Sequence, residues 1–134
     1  MMNVDIDVLV REALLEKGCD ESMLSNFDGH TTIALEFTQR PSLLISTLDD
    51  NVWIWSRIAE DNNAVLTQRA SELLFALMEG CEFTPSGQLQ LSVDEGYILL
   101  RGLVSPAFLE SSQQFSAAME EFFSLQENFL GIFQ

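Results

Sequence analysis

At 134 residues the chain has the length of one domain around one core, and a single domain spanning 1–134 is expected. Its 47% apolar content argues against disorder, while 21 acidic residues against six basic ones give a formal charge of −15. That balance excludes nucleic acid and anionic membrane surfaces as partners and favours a basic or neutral apolar segment.

Residues 3–17 read as a helix. Asn3 or Asp5 can cap it, Asp5 and Asp7 suit its positive end, and Gly18 is a natural stop. Ile6, Leu9, Val10, Ala13 and Leu14 form a broad inward face. Val4, Val8 and Leu15 fall on the other side, beside Arg11, which is more apolar surface than docking needs. This acidic amphipathic start is unlike a cleaved signal sequence, and no apolar run is long enough to span a bilayer. A cytoplasmic protein with no membrane insertion is the expectation.

Cys19–Asp28 reads as a connecting loop. His30–Thr38 then alternates as a strand, with Thr31, Ile33, Leu35 and Phe37 on one face. Arg40-Pro41 marks a turn, Ser42–Leu48 a second strand and Asp49-Asp50-Asn51 a hairpin loop. Val52–Ile58 is rich in β-branched and aromatic residues and apolar on both faces, as an inner strand is. Trp53, Trp55 and Arg57 share one of those faces, and Trp55 is expected in the core.

Asn63–Cys81 reads as a helix with two apolar sides. Leu66, Ala70, Leu73, Leu74, Leu77 and Cys81 make one stripe, and Ala64, Ser71, Phe75 and Met78 lie opposite. One stripe docks the helix on its own chain. The second is covered either by a neighbouring element or by a second copy of the chain. Gln88–Val93 and Tyr97–Val104 form a hairpin around Asp94-Glu95-Gly96. Ser111 or Ser112 caps a last helix running towards Phe133, with Phe115, Ala118, Met119, Phe122, Leu125 and Phe129 on one face. The order α-β-β-β-α-β-β-α is α+β: an antiparallel sheet flanked by three helices.

Chemistry is sparse. His30 is the single histidine, without a reliable partner, and two cysteines make neither a disulfide framework nor a metal motif. Asp49-Asp50 and Glu120-Glu121 read as solvated charges. No phosphate loop or dinucleotide fingerprint is present. The expectation is no enzyme, no cofactor and no metal. Apolar surface on an acidic body is the profile of a binding module.

Several stretches resemble one family. They are LVREALLEKGCD at 9–20, the Asp28-Gly29-His30 junction, DDNVWIW at 49–55, LTQRASELLFALMEGC at 66–81, Gly87-Gln88-Leu89 and SPAFL at 105–109. Together they are similar to the small acidic chaperones of bacterial type III secretion, in particular the class IB, InvB/SpaK-type chaperones that serve several effectors. The resemblance covers nearly the whole chain and departs from the family at 18–27 and in the last helix. It implies a homodimer without ATPase activity. Such a dimer holds the N-terminal segments of secreted effector proteins extended, keeps them soluble, and presents them to the secretion ATPase or sorting complex. It further implies an effector-binding surface along the first helix and the outer sheet, at Val8, Arg11, Leu15, Ile33, Leu35 and Phe37. It implies a dimer interface at Ser71, Phe75, Met78, Leu89 and Leu91. The alternative is an acidic dimeric regulatory module that sequesters a basic protein partner.

Overall fold

A computed structural model describes residues 6–16, 24–25 and 32–134, without the side chains of Asp7, Glu16, Leu24 and Ser25. His30, Thr31, Cys19 and most of the 18–27 segment fall outside it. In chain order the elements are α1 (Ile6–Glu16), β1 (Leu24–Ser25), β2 (Thr32–Leu35), β3 (Leu43–Leu48), β4 (Asn51–Glu60) and α2 (Asn63–Met78). Then follow β5 (Gln90–Asp94), β6 (Tyr97–Leu103), a 3-10 turn (Pro106–Leu109) and α3 (Ser112–Ile132). The expected α+β class holds. The one added strand, β1, is a two-residue pairing of Leu24 and Ser25 with Leu35 and Ala34, inside a stretch read as loop.

The strands form one antiparallel sheet in the order β1-β2-β3-β4-β6-β5, so β4 is an inner strand. Two tight hairpins fix the register. Asp49 and Asp50 both have positive φ between the paired Leu48 and Asn51, and Glu95 and Gly96 repeat this between Asp94 and Tyr97. Positive φ at both central residues matches the right-handed twist of the flanking strands, and aspartate tolerates it better than most side chains. Helix ends follow their caps: Asn62 accepts the Ala64 and Val65 N–H groups, and Ser111 accepts that of Gln114.

The core lies between one face of the sheet and helices α1 and α3. Val10, Ala13 and Leu14 of α1 and Phe115, Met119, Phe122 and Phe129 of α3 pack on Ile33, Leu35, Ile45, Ile54 and Leu100. At Gly102 the sheet has no room for a side chain: a Cβ there would lie 2.6 Å from Phe83 Cζ. Phe83 in turn meets Phe122 edge-on at 6.4 Å. The opposite face carries Trp53, Trp55, Arg57, Leu99 and Arg101. This corrects the core assignment of Trp55, which is half-buried on the outer face. Its indole N–H donates to Ser46 Oγ at 2.9 Å, and Arg57 lies 5.2 Å over its ring. Arg101 covers Trp53 in the same way at 4.3 Å.

Candidate functional site

A groove of about 830 Å³ opens between α1, the β2–β3 end of the sheet and α3. Leu14, Leu35, Leu43 and Met119 are among its lining residues, and so are Phe37, Phe108 and Phe123. Glu82, Glu120 and Glu121 also line it. Glu121 is held in place: its carboxylate accepts the Glu82 N–H at 3.0 Å and the Phe83 N–H at 3.1 Å. The groove is thus apolar with carboxylates around it, a surface suited to aliphatic side chains. Among the described residues no group of three metal-ligating side chains occurs.

Polar contacts brace the groove beside Phe123. Arg40, in the turn between β2 and β3, donates from Nη2 to the Phe123 carbonyl and to Gln126 Oε1, both at 2.6 Å. Its Nη1 donates to Glu127 at 3.1 Å. The guanidinium lies 3.5 Å from the Phe123 ring centre, and Phe37 packs on the same ring at 5.1 Å. Gln126 is fully buried and donates to Ser56 Oγ at 2.8 Å and to the Pro41 carbonyl at 3.1 Å. This satisfies a serine that β4 turns into the core. Gln126 and Phe123 were not singled out from sequence, and Arg40 was read only as part of a turn. A helix face containing both Phe122 and Phe123 was the available signal.

The expected effector-binding residues divide between two places. Val8, Arg11 and Leu15 share one side of α1, where Val8 is 46% and Leu15 58% exposed. Leu35 and Phe37 line the groove instead. Ile33 and Leu35 do not lie on the outer sheet as expected. They point to the helix-covered face at 4% and 2% exposure. Alternation along a strand identifies a face, but not which side the helices cover.

Of the expected dimer residues, Ser71, Phe75 and Met78 are exposed on α2. Leu89 is corrected to a core position, 6% exposed and packed near Gly102, and Leu91 is half-buried. Helix α2 itself departs from the two-stripe reading. Of the docking stripe, Leu73 is buried and Leu66, Leu77 and Cys81 are half-buried against the core, but Leu74 and Ala70 join Phe75 and Met78 in solvent. The helix touches its own chain mainly at α3, which leaves too narrow a contact to cover a whole stripe. Cys81, just beyond it, contacts Thr84 Oγ1 at 3.3 Å, and burial pushes its thiol pKa up, with Glu121 adding to the rise.

Comparison with known proteins agrees with this arrangement. Residues 18–95 match the model of the Invasion protein B family. The chain is 44% identical over 129 residues to the Surface presentation of antigens protein SpaK of Salmonella typhimurium, covering 96% of each. Among solved structures it is similar to a chain of the ExsC-ExsE complex, with 14% identity, a TM-score of 0.64, and 93% and 90% of the two chains covered. A chain of the heterodimeric ExoU-SpcU complex from the type III secretion system of Pseudomonas aeruginosa gives 12%, 0.59, and 90% and 94%. At those identities the structures speak for the fold alone. The family match and the SpaK identity carry more: the chain belongs to the invasion protein B family, the non-enzymatic InvB/SpaK-type chaperones of type III secretion effectors.

Proposed function

We propose that the chain works as a homodimer joined through α2, and that it holds N-terminal segments of several effectors in extended form in the cytoplasm of a bacterium. The observation that carries this reading is the groove, an apolar trough on a chain of charge −15. An extended segment lays alternate side chains into such a trough, each gaining about 25 cal/mol per Å² of apolar area buried. Ordering the segment removes much of that gain. Affinity then rests on a few filled pockets rather than on one sequence, which allows several clients. The exposed side of α1 at Val8, Arg11 and Leu15 extends the same binding surface, and Leu35 and Phe37 contribute through the groove. The seam uses Ser71, Phe75 and Met78, with Leu91 at its margin. The bound client is handed on to the secretion ATPase or sorting complex.

Family membership disfavours the alternative of a module that sequesters a basic partner. A tagged pull-down from native cytosol, followed by mass spectrometry and limited proteolysis, tests the proposal. Recovery of secreted proteins, each protected over an N-terminal segment, is the expected result. Recovery of only a basic cytosolic protein that moderate salt releases would refute it.

A further inference from the structure

The contacts of Arg40 are concentrated where the groove needs a fixed wall. We propose that Arg40 is a positioning residue: its guanidinium holds Phe37 and Phe123 as the groove's aromatic wall. Its importance for clients rests on the effector-groove reading above, whereas its hold on the wall does not.

Arg40 is one of only six basic residues in a chain of charge −15, yet its side chain is only 18% exposed. An arginine whose task was solubility would extend into water. This one folds back onto α3, and its Nε is buried with no hydrogen-bond partner. Burying that polar atom is unfavourable, and the other contacts must offset it. Those contacts are two 2.6 Å hydrogen bonds from one nitrogen, an ion pair at 3.1 Å and a ring contact at 3.5 Å.

Three of these four contacts end on Phe123 or on its close neighbour Gln126. Phe123 is the ring that Phe37 packs against, and both rings line the groove. Phe37 precedes Arg40 by three residues and enters the same turn. Gln126 completes the tie by bonding Pro41 and Ser56. The turn is therefore tied to α3 through one planar cation, and the Gln126 amide carries the tie on to Ser56 of the middle strand. Lysine cannot replace it, because a single ammonium cannot lie flat over a ring while donating to separate acceptors on either side.

The test uses the neutral apolar dye Nile red as the groove probe, titrated into wild type, Arg40→Lys and Arg40→Met. Each is paired with Ala117→Trp, which places a bulky ring at an exposed position lining the groove. Melting curves run alongside. The expected result is a cooperative melt for Arg40→Lys with dye affinity weakened about 5- to 10-fold, the loss of a stacked, doubly donating contact. Ala117→Trp should abolish the arginine-sensitive binding, so that adding Arg40→Lys changes nothing further. Unchanged dye affinity in Arg40→Lys and Arg40→Met overturns the proposal. An equal loss with and without Ala117→Trp also overturns it, since the dye then reports another surface. If neither variant folds, Arg40 is a structural residue and the positioning role is refuted. The expected dye result together with a pull-down lacking secreted clients would uphold the wall and refute the effector reading alone.

Discussion

Replacing Phe75 by glutamate probes the proposed seam where it is most exposed. Phe75 stands 65% exposed on α2, between Leu74 at 56% and Met78 at 60%. A phenylalanine side chain offers on the order of 200 Å² for burial, so about 130 Å² remains for a partner to cover. At about 25 cal/mol per Å² this is ~3 kcal/mol per protomer, or ~6 kcal/mol across a two-fold seam in which Phe75 contributes twice. The substitution removes that gain and brings two new carboxylates towards a seam already flanked by Glu72 and Glu79. A loss of ~6 kcal/mol corresponds to roughly four orders of magnitude in dissociation constant, enough to turn a nanomolar dimer into a monomer at micromolar concentration. The monomer's own fold should change little, since Phe75 contacts mainly solvent within one chain. Sedimentation equilibrium measures the dissociation constant, and a chemical melt checks the fold. A Phe75→Glu dimer as tight as wild type would refute the α2 seam. Unfolding of the variant would show that Phe75 supports its own chain instead.

Leu15→Asp should weaken client binding by about tenfold or more while leaving the dimer intact, because a charge replaces an exposed apolar contact on α1; isothermal titration with a recovered client segment checks this. Gly102→Ala should destabilise the protein by about 1–3 kcal/mol, since its methyl would press on Phe83 and Leu89 inside the core; a shift of the urea midpoint is the readout. Cys81 should react slowly with iodoacetamide. Its pKa is raised by burial, and by Glu121 against the lowering bond to Thr84, so less thiolate is present at neutral pH than for a free cysteine. The rate should continue to climb above pH 9, and a plateau near neutrality would contradict the raised value.

Much of the fold was legible because its signals are local. Alternation marked β2, β-branched and aromatic residues marked β4, Asp94-Glu95-Gly96 placed the last hairpin, and of the two cap candidates Ser111 and Ser112 the first begins α3. Strand faces were legible, but their sides were not. Ile33 and Leu35 alternate identically whether helices cover that face or water does, and only α1 and α3 packing decides. Trp55 misled for the same reason: its size suggested the core, while its register with Arg101 and Leu44 put it outside.

The bracing beside the groove was hidden for a different reason. Gln126 is a polar residue on a helix and has the composition of a solvent-facing position. Only the inward Ser56 and the returning turn at Arg40-Pro41, each far away in sequence, make its burial favourable. The wide apolar surface of α2 was legible in its Phe75 and Met78. That Leu74 and Ala70 would join them could not be read without knowing how little of the helix its own chain covers.

Amide hydrogen exchange on the purified chaperone, alone and bound to a client segment recovered from the cytosol, tests the central claim most directly. The account predicts new protection along α1, across residues 35–43 and across residues 116–124 of α3, with α2 already protected in the free dimer. Protection confined to α2 or to the outer sheet at Trp53 and Arg101, with the groove residues exchanging as before, would contradict it.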